Sequence, residues 1–125
     1  MDSLNTQKII EIHYKIIKRY GGEQGILNEG SIDYLIYLLE KENDVFKIAA
    51  IVLHRLITNH PFIDGNKRTA FETAELILRH EGLYIYANNE ETIDVLRRIA
   101  QYGCSEKDII KWLKRNTSTT SGQVV

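Results

Sequence analysis

Ile48-Ala49-Ala50-Ile51-Val52-Leu53 is the longest uninterrupted aliphatic run in the chain, and it sits in a stretch from Asp44 to about Asn59 that has neither proline nor glycine. A helix over these residues is apolar on nearly every side. Such a helix belongs at the centre of a bundle, enclosed by others. Six aliphatic residues fall far short of the ~20 needed to cross a bilayer, so the run predicts burial inside protein.

Helical patterns flank this stretch on both sides. Towards the N-terminus, Asn5 or Thr6 can cap a helix with Ile9, Ile12, His13, Ile16 and Tyr20 on one stripe, widened by Ile10 and Ile17. Gly21 and Gly22 stop it. Residues 21 to 30 hold four glycines and predict a loop. Ile32 to Leu39 predicts a second helix, which ends in the charged connection from Glu40 to Asp44.

Beyond the aliphatic run, Pro61 to Gly65 predicts a loop, and the helical pattern resumes at Asn66 with Ala70, Ala74, Ile77 and Leu78 before Gly82. Leu83 to Tyr86 predicts a short extended connector, with Tyr84 and Tyr86 along a core edge. Asn88 with Glu91 and Ser105 with Asp108 have capping-box spacing. They open helices carrying Ile93, Leu96, Ile99 and Ala100, and then Ile109, Ile110, Trp112 and Leu113. The expected fold is all-α. It is a single domain over residues 1–115, a helical bundle of about six helices, followed by a polar tail over 116–125 that is expected to fray.

Composition narrows the function classes. A chain of 125 residues can bury roughly two-thirds of its open-chain surface, enough for one core. Sixteen Lys and Arg against 17 Asp and Glu give a net charge of -1, so bulk attraction to nucleic acid or anionic lipid is not expected. Cys104 is the single cysteine, which excludes an internal disulfide and a thiolate-built zinc site. With no signal-like apolar segment near the N-terminus, a cytoplasmic protein is expected.

The chemistry concentrates in His60-Pro61-Phe62-Ile63-Asp64-Gly65-Asn66-Lys67-Arg68-Thr69, between the central helix and the next. A helix N-terminus presents free N–H groups and the positive end of a dipole, which binds phosphate readily. Gly65 lets backbone approach an anion, and Asn66 can orient the loop or cap the helix. Lys67 and Arg68 oppose the dipole in the first turn, a placement that a bound polyphosphate offsets. Asp64 is the loop's one acid, and one carboxylate plus substrate phosphates is the usual way to hold Mg²⁺. His60 suits general-base work near neutral pH, and Phe62 anchors the loop to the core. Taken singly, each of these residues reads as an ordinary turn or cap; the joint pattern points to phosphoryl or nucleotidyl transfer, which needs mainly positioning and charge stabilisation.

The segment resembles the signature of the Fic family, in outline His-x-Phe-x-(Asp/Glu)-Gly-Asn-x-x-Arg, and is closest to its Doc (death on curing) branch. Doc-like chains carry Asn-Lys-Arg-Thr-Ala, found here as Asn66-Lys67-Arg68-Thr69-Ala70; Phe71 stands where typical Fic enzymes have a second Arg. Gly65 occupies a place where a Doc-like loop can have Ala. His13, Arg19-Tyr20-Gly21-Gly22 and Leu76 to Gly82 extend the likeness, which covers most of residues 5 to 115.

The resemblance implies a Fic fold and a nucleotide-using transferase acting on protein hydroxyls. His60 is then the general base, Asp64 the Mg²⁺ ligand, and Gly65 and Asn66 the anion hole, with Arg68 and Lys67 on the phosphates and Arg19 a possible accessory. Typical Fic enzymes transfer AMP, whereas Doc-like proteins are kinases that bind the nucleotide in reverse and phosphorylate translation elongation factor Tu, inhibiting translation. Lys67 and the missing second Arg place this chain on the Doc side, with ATP and Mg²⁺ as nucleotide and metal. The family's target-docking flap is expected at Glu40 to Phe46. No Ser or Thr opens a self-inhibiting Ser/Thr-x-x-x-Glu-Gly/Asn motif, so a separate antitoxin is expected to act in trans.

Two other readings rank lower. Arg55-x-x-x-x-His60 has the spacing of HEPN-type helical ribonucleases, but that reading leaves Phe62, Asp64, Gly65, Asn66 and Arg68 unused. A non-catalytic helical module with a decayed motif is opposed by the presence of every central residue. Elsewhere, His13 reads as a satisfied core histidine, His54 and His80 as surface or boundary residues, and Trp112 as core.

Overall fold

In the computed structural model, which describes residues 4–119, α3 (Val45–Asn59) occupies the centre. Its buried side chains are Ala49, Ala50, Ile51, Val52, Leu53, Leu56 and Ile57. It packs against α2 (Glu29–Leu39), α4 (Asn66–His80), α5 (Asn89–Ala100) and α6 (Glu106–Arg115). Helix α1 (Thr6–Tyr20) lies against α2 and α4. The architecture is the expected all-α bundle of six helices.

The contact between α3 and α4 is the most extensive of the fold. On α4 the buried residues include Thr69, Ala70, Thr73 and Ala74, a row of small side chains. Short side chains let two helix axes approach closely, and this brings the end of α3 and the start of α4 together around the connecting loop. The Thr73 hydroxyl donates to the Thr69 carbonyl at 2.7 Å, which satisfies that hydroxyl inside the interface.

Five helices are capped by their own sequence. Asn5, Asn28, Asp44, Asn88 and Ser105 each accept a first-turn N–H on the side chain. Ser105 and Asp108 form the expected reciprocal capping box. At Asn88 the box is modified: the Glu91 carboxylate accepts from the Asn88 side-chain amide at 3.2 Å.

Three expectations need correction. Helix α2 starts at Glu29 rather than Ile32, because the Asn28 cap makes Gly30 tolerable in the first turn. The predicted loop therefore closes at Asn28 instead of residue 30. The first residues of the predicted tail take regular structure. Thr117–Ser118 forms β2, antiparallel to β1 (Tyr84–Ile85), with Tyr84 opposite Ser118. The rest of that tail, 120–125, lies outside the described residues. Finally, Ile85 is the residue of the connector that packs on the core, while Tyr86 is exposed.

Trp112 is half-buried against the core, and Cys104 is buried with its thiol pushed above the usual range by that burial. Among the described residues, no helix is long and apolar enough to cross a membrane.

Candidate functional site

Helix α3 ends at His60, which takes a left-handed conformation (φ 47°, ψ 59°). A non-glycine residue in this region carries strain of about 1–3 kcal/mol, and such strain clusters at functional positions. His60 is exposed, whereas Pro61 and Phe62 immediately after it are buried. The backbone therefore dives into the core and leaves the imidazole at the surface.

The loop is backed by the segment between α1 and α2. Leu27 and Asn28 both donate to the Pro61 carbonyl, at 2.7 and 3.1 Å, and Ile63 donates to the Gly25 carbonyl at 3.1 Å. Ile26 and Phe62 form an antiparallel bridge. At Gly25 (φ 150°), a Cβ would collide with the Ile63 side chain, so only glycine permits this close approach.

Within the loop, Asn66 bonds both polar groups of the Phe62 backbone. Its carbonyl oxygen accepts from the Phe62 N–H at 3.1 Å, and its amide donates to the Phe62 carbonyl at 2.9 Å. Asn66 thus orients the loop rather than capping α4. Phe62, only 1% exposed, is the expected anchor, and its ring stacks on His13 of α1. The His13 Nε2 lies 2.7 Å from the Asp64 carbonyl oxygen.

Asp64 is exposed, and backbone groups hold its carboxylate. Oδ1 accepts from the Gly65 N–H at 2.9 Å, and Oδ2 accepts from the Glu23 N–H at 3.3 Å. A Cβ on Gly22 would lie 2.8 Å from Oδ2, so the glycine makes room for that oxygen.

Gly65 takes φ 77° and opens α4 with no side-chain cap hydrogen bond. Among the six helices only this one lacks such a cap. Its first turn has no acid and carries Lys67 and Arg68, both exposed. The unbonded N–H groups of a helix start, joined to two cations, form a site for an anion. The Arg68 guanidinium lies over the Tyr20 ring, 3.9 Å from its centroid, and Arg19 lies 6.0 Å from the same ring. Tyr20 thereby links the end of α1 to the start of α4.

The predicted site residues His60, Phe62, Asp64, Gly65, Asn66, Lys67 and Arg68 fall on one loop and the first turn of one helix. Arg19 reaches their neighbourhood through Tyr20. Sequence reasoning missed the roles of His13, Tyr20, Gly22 and Gly25. The signals for His13 were a polar ring in a mostly aliphatic stripe and its place in the family likeness. Glu40 to Phe46, where a docking flap was expected, lies at the opposite end of α3 from His60, about 22 Å away along the helix. The segment that borders the loop is residues 22–28.

Arg55 faces α2, with its guanidinium 5.1 Å from the Tyr34 ring centroid and its Nε buried without a partner.

Among the described residues, no group of three or more His, Cys, Asp or Glu could hold a metal. Asp64 offers a single carboxylate, which suits a hard cation shared with the phosphates of a ligand. A groove of about 570 Å³ between α1 and α4, lined by residues such as Leu4, Ile12 and Ile77, contains none of the motif residues.

Comparison with known proteins identifies the family. The model of the Fic/DOC family matches residues 3–78. The chain is 31% identical over 96 residues to the protein kinase doc of Escherichia phage P1, covering 72% of this chain and 76% of that one. It is 36% identical over 73 residues to a Fido domain-containing protein of Dictyostelium discoideum, covering 55% of this chain and 51% of that one.

Proposed function

The chain belongs to the Fic/DOC family, and from that premise we propose that it is a Doc-like toxin that moves the γ-phosphate of ATP to a Ser or Thr hydroxyl of a protein. Translation elongation factor Tu is the first candidate target, with arrest of translation as the consequence in the cytoplasm. The observation that carries the reading is the start of α4: uncapped, without an acid, bearing Lys67 and Arg68, and joined to the exposed His60 by one short loop.

His60 accepts the proton of the target hydroxyl. The hydroxyl oxygen then bonds to the γ-phosphorus, and the bond from that phosphorus to the β–γ bridging oxygen breaks to release ADP. The N–H groups at the start of α4 and the Arg68 guanidinium stabilise charge on the phosphoryl oxygens, while Lys67 provides a second cation. Asp64 holds Mg²⁺ jointly with the phosphates, and the metal supplies charge neutralisation when bound.

Two features favour γ-phosphate over AMP transfer. The relative from phage P1 is named a kinase. Phe71, standing in place of a second cation, packs against the core instead of facing the ligand. Because the chain has no self-inhibiting motif, control by a separate antitoxin completes the reading.

The test offers elongation factor Tu to the purified protein with Mg²⁺ and ATP labelled at either the α or the γ phosphorus. Label from γ is expected; label from α would replace the reading with AMP transfer. His60→Ala is expected to abolish transfer while nucleotide still binds. Asp64→Ala is expected to weaken it, with partial recovery at raised Mg²⁺. Transfer that survives EDTA would end the case for either chemistry.

A further inference from the structure

We propose that His13 is a positioning residue. From α1 it fixes the peptide plane between Asp64 and Gly65, so that the Gly65 N–H holds the Asp64 carboxylate in place for the metal and nucleotide. The proposal rests on the phosphotransfer reading for what the loop binds, and on geometry for how the loop is held.

His13 is 2% exposed and shares its face of α1 with the buried Ile9, Ile16 and Ile17. An imidazole buried in such a row is costly unless its polar edge is satisfied, and an aliphatic residue would fill the space without that cost. The polar edge is used on the motif loop. A carbonyl oxygen can only accept, so the 2.7 Å contact requires that Nε2 carry the proton and donate to Asp64. The flat of the ring lies on Phe62, with centroids 3.7 Å apart and planes within 3°. One side chain thus grips the loop at Phe62 and again two residues later, while Asn66 holds Phe62 by its backbone.

The consequence lies in the peptide between Asp64 and Gly65. A trans peptide is planar, and its C=O and N–H point in opposite directions. With the Asp64 carbonyl drawn onto His13, the Gly65 N–H must point away from it, and there it meets Asp64 Oδ1 at 2.9 Å. Gly65 has no side chain to resist rotation of this plane. Without the donor at position 13, the plane is free to turn and present a carbonyl oxygen where the Asp64 carboxylate needs an N–H. Packing alone does not set this direction; the hydrogen bond does.

The test has two arms. Nitrogen NMR of the full chain labelled in histidine reads the tautomer of His13. Protonated Nε2 is expected, and a neutral ring protonated only on Nδ1 would overturn the proposal. In the second arm, MgATP is titrated calorimetrically into wild type, His13→Phe and His13→Gln. Phenylalanine keeps the stacking but lacks the donor, whereas the glutamine amide can replace it. His13→Phe is expected to keep a thermal midpoint near that of wild type, shift the Gly65 amide resonance, and weaken MgATP binding about 10- to 100-fold, the usual scale for a group that orients a ligand. His13→Gln is expected to recover most of that loss. A folded His13→Phe that binds like wild type, or a folded His13→Gln as weak as His13→Phe, would overturn the proposal. If wild type binds no MgATP, the phosphotransfer reading fails, and the tautomer and the Gly65 resonance still decide the role of His13. The tautomer and His13→Gln likewise decide it if His13→Phe does not fold.

Discussion

Arg68 sits in the first turn of α4, where the helix dipole disfavours a cation, and it is exposed. What keeps its guanidinium near the loop is the Tyr20 ring, 3.9 Å from it. A cation over an aromatic face at an exposed site gains roughly 0.5–1 kcal/mol. That energy also restricts the many rotamers of a long side chain, so less order remains to be imposed when a phosphate arrives. Tyr20→Ala is therefore expected to weaken MgATP binding about 2- to 5-fold, corresponding to roughly 0.5–1 kcal/mol, while Tyr20→Phe, which keeps the ring, stays within error of wild type. Calorimetric titration checks both variants, and equal loss in both would show that the hydroxyl rather than the ring matters. The half-buried Phe71 one turn further on packs into the bundle, leaving Arg68 and Lys67 as the cations of this helix start.

At the scale of elements, the helices show how local chemistry sets boundaries. The capping box of α6 joins Ser105 and Asp108 in both directions, with the Asp108 carboxylate accepting from the Ser105 N–H at 3.0 Å. This backbone hydrogen bond is the main reason that the Asp108 carboxyl is held below its ordinary value of 3.8, followed by the bond to the Ser105 side chain. Because the folded value is lowered, the ionised form is favoured in the fold. The stabilisation is complete above the ordinary value and disappears as the pH falls through the lowered one. Thermal melts from pH 6 down to pH 2 are expected to lose part of their acid sensitivity in Asp108→Asn, which starts less stable at pH 6. Parallel melting curves for the two proteins would refute the assignment. Helix α4 follows the opposite rule: it leaves its N-terminus uncapped, and the unspent N–H groups are what the proposed chemistry uses.

The whole molecule is organised so that one buried helix carries the site at its end. Leu53 is 2% exposed at the middle of α3, and α3 touches four other helices. Truncating such a residue removes transfer energy and leaves a cavity, so Leu53→Ala is expected to cost about 2–5 kcal/mol. Against a total of about 5–15 kcal/mol, that is a large fraction. Denaturant unfolding followed in parallel by helix signal and Trp112 fluorescence should move to a lower midpoint as one transition. Two separate transitions would show that the α5 and α6 side folds independently. From the sequence alone came the six helices, four of their caps, the loop and its seven motif residues, because periodicity, capping and turn chemistry act over about four residues and are written locally. The start of α2 and the pairing of Thr117–Ser118 with β1 were not legible in this way. The first depended on a cap that outweighed the glycine at position 30, the second on a partner more than thirty residues away. Only the tertiary structure decided that His13 meets the Asp64 carbonyl across 51 residues, that residues 25–28 back the loop, and that Tyr20 holds Arg68. These contacts depend on how closely α1 and the α1–α2 connection approach the α3–α4 junction, a distance set by the shape of the packed core and not by any spacing along the chain.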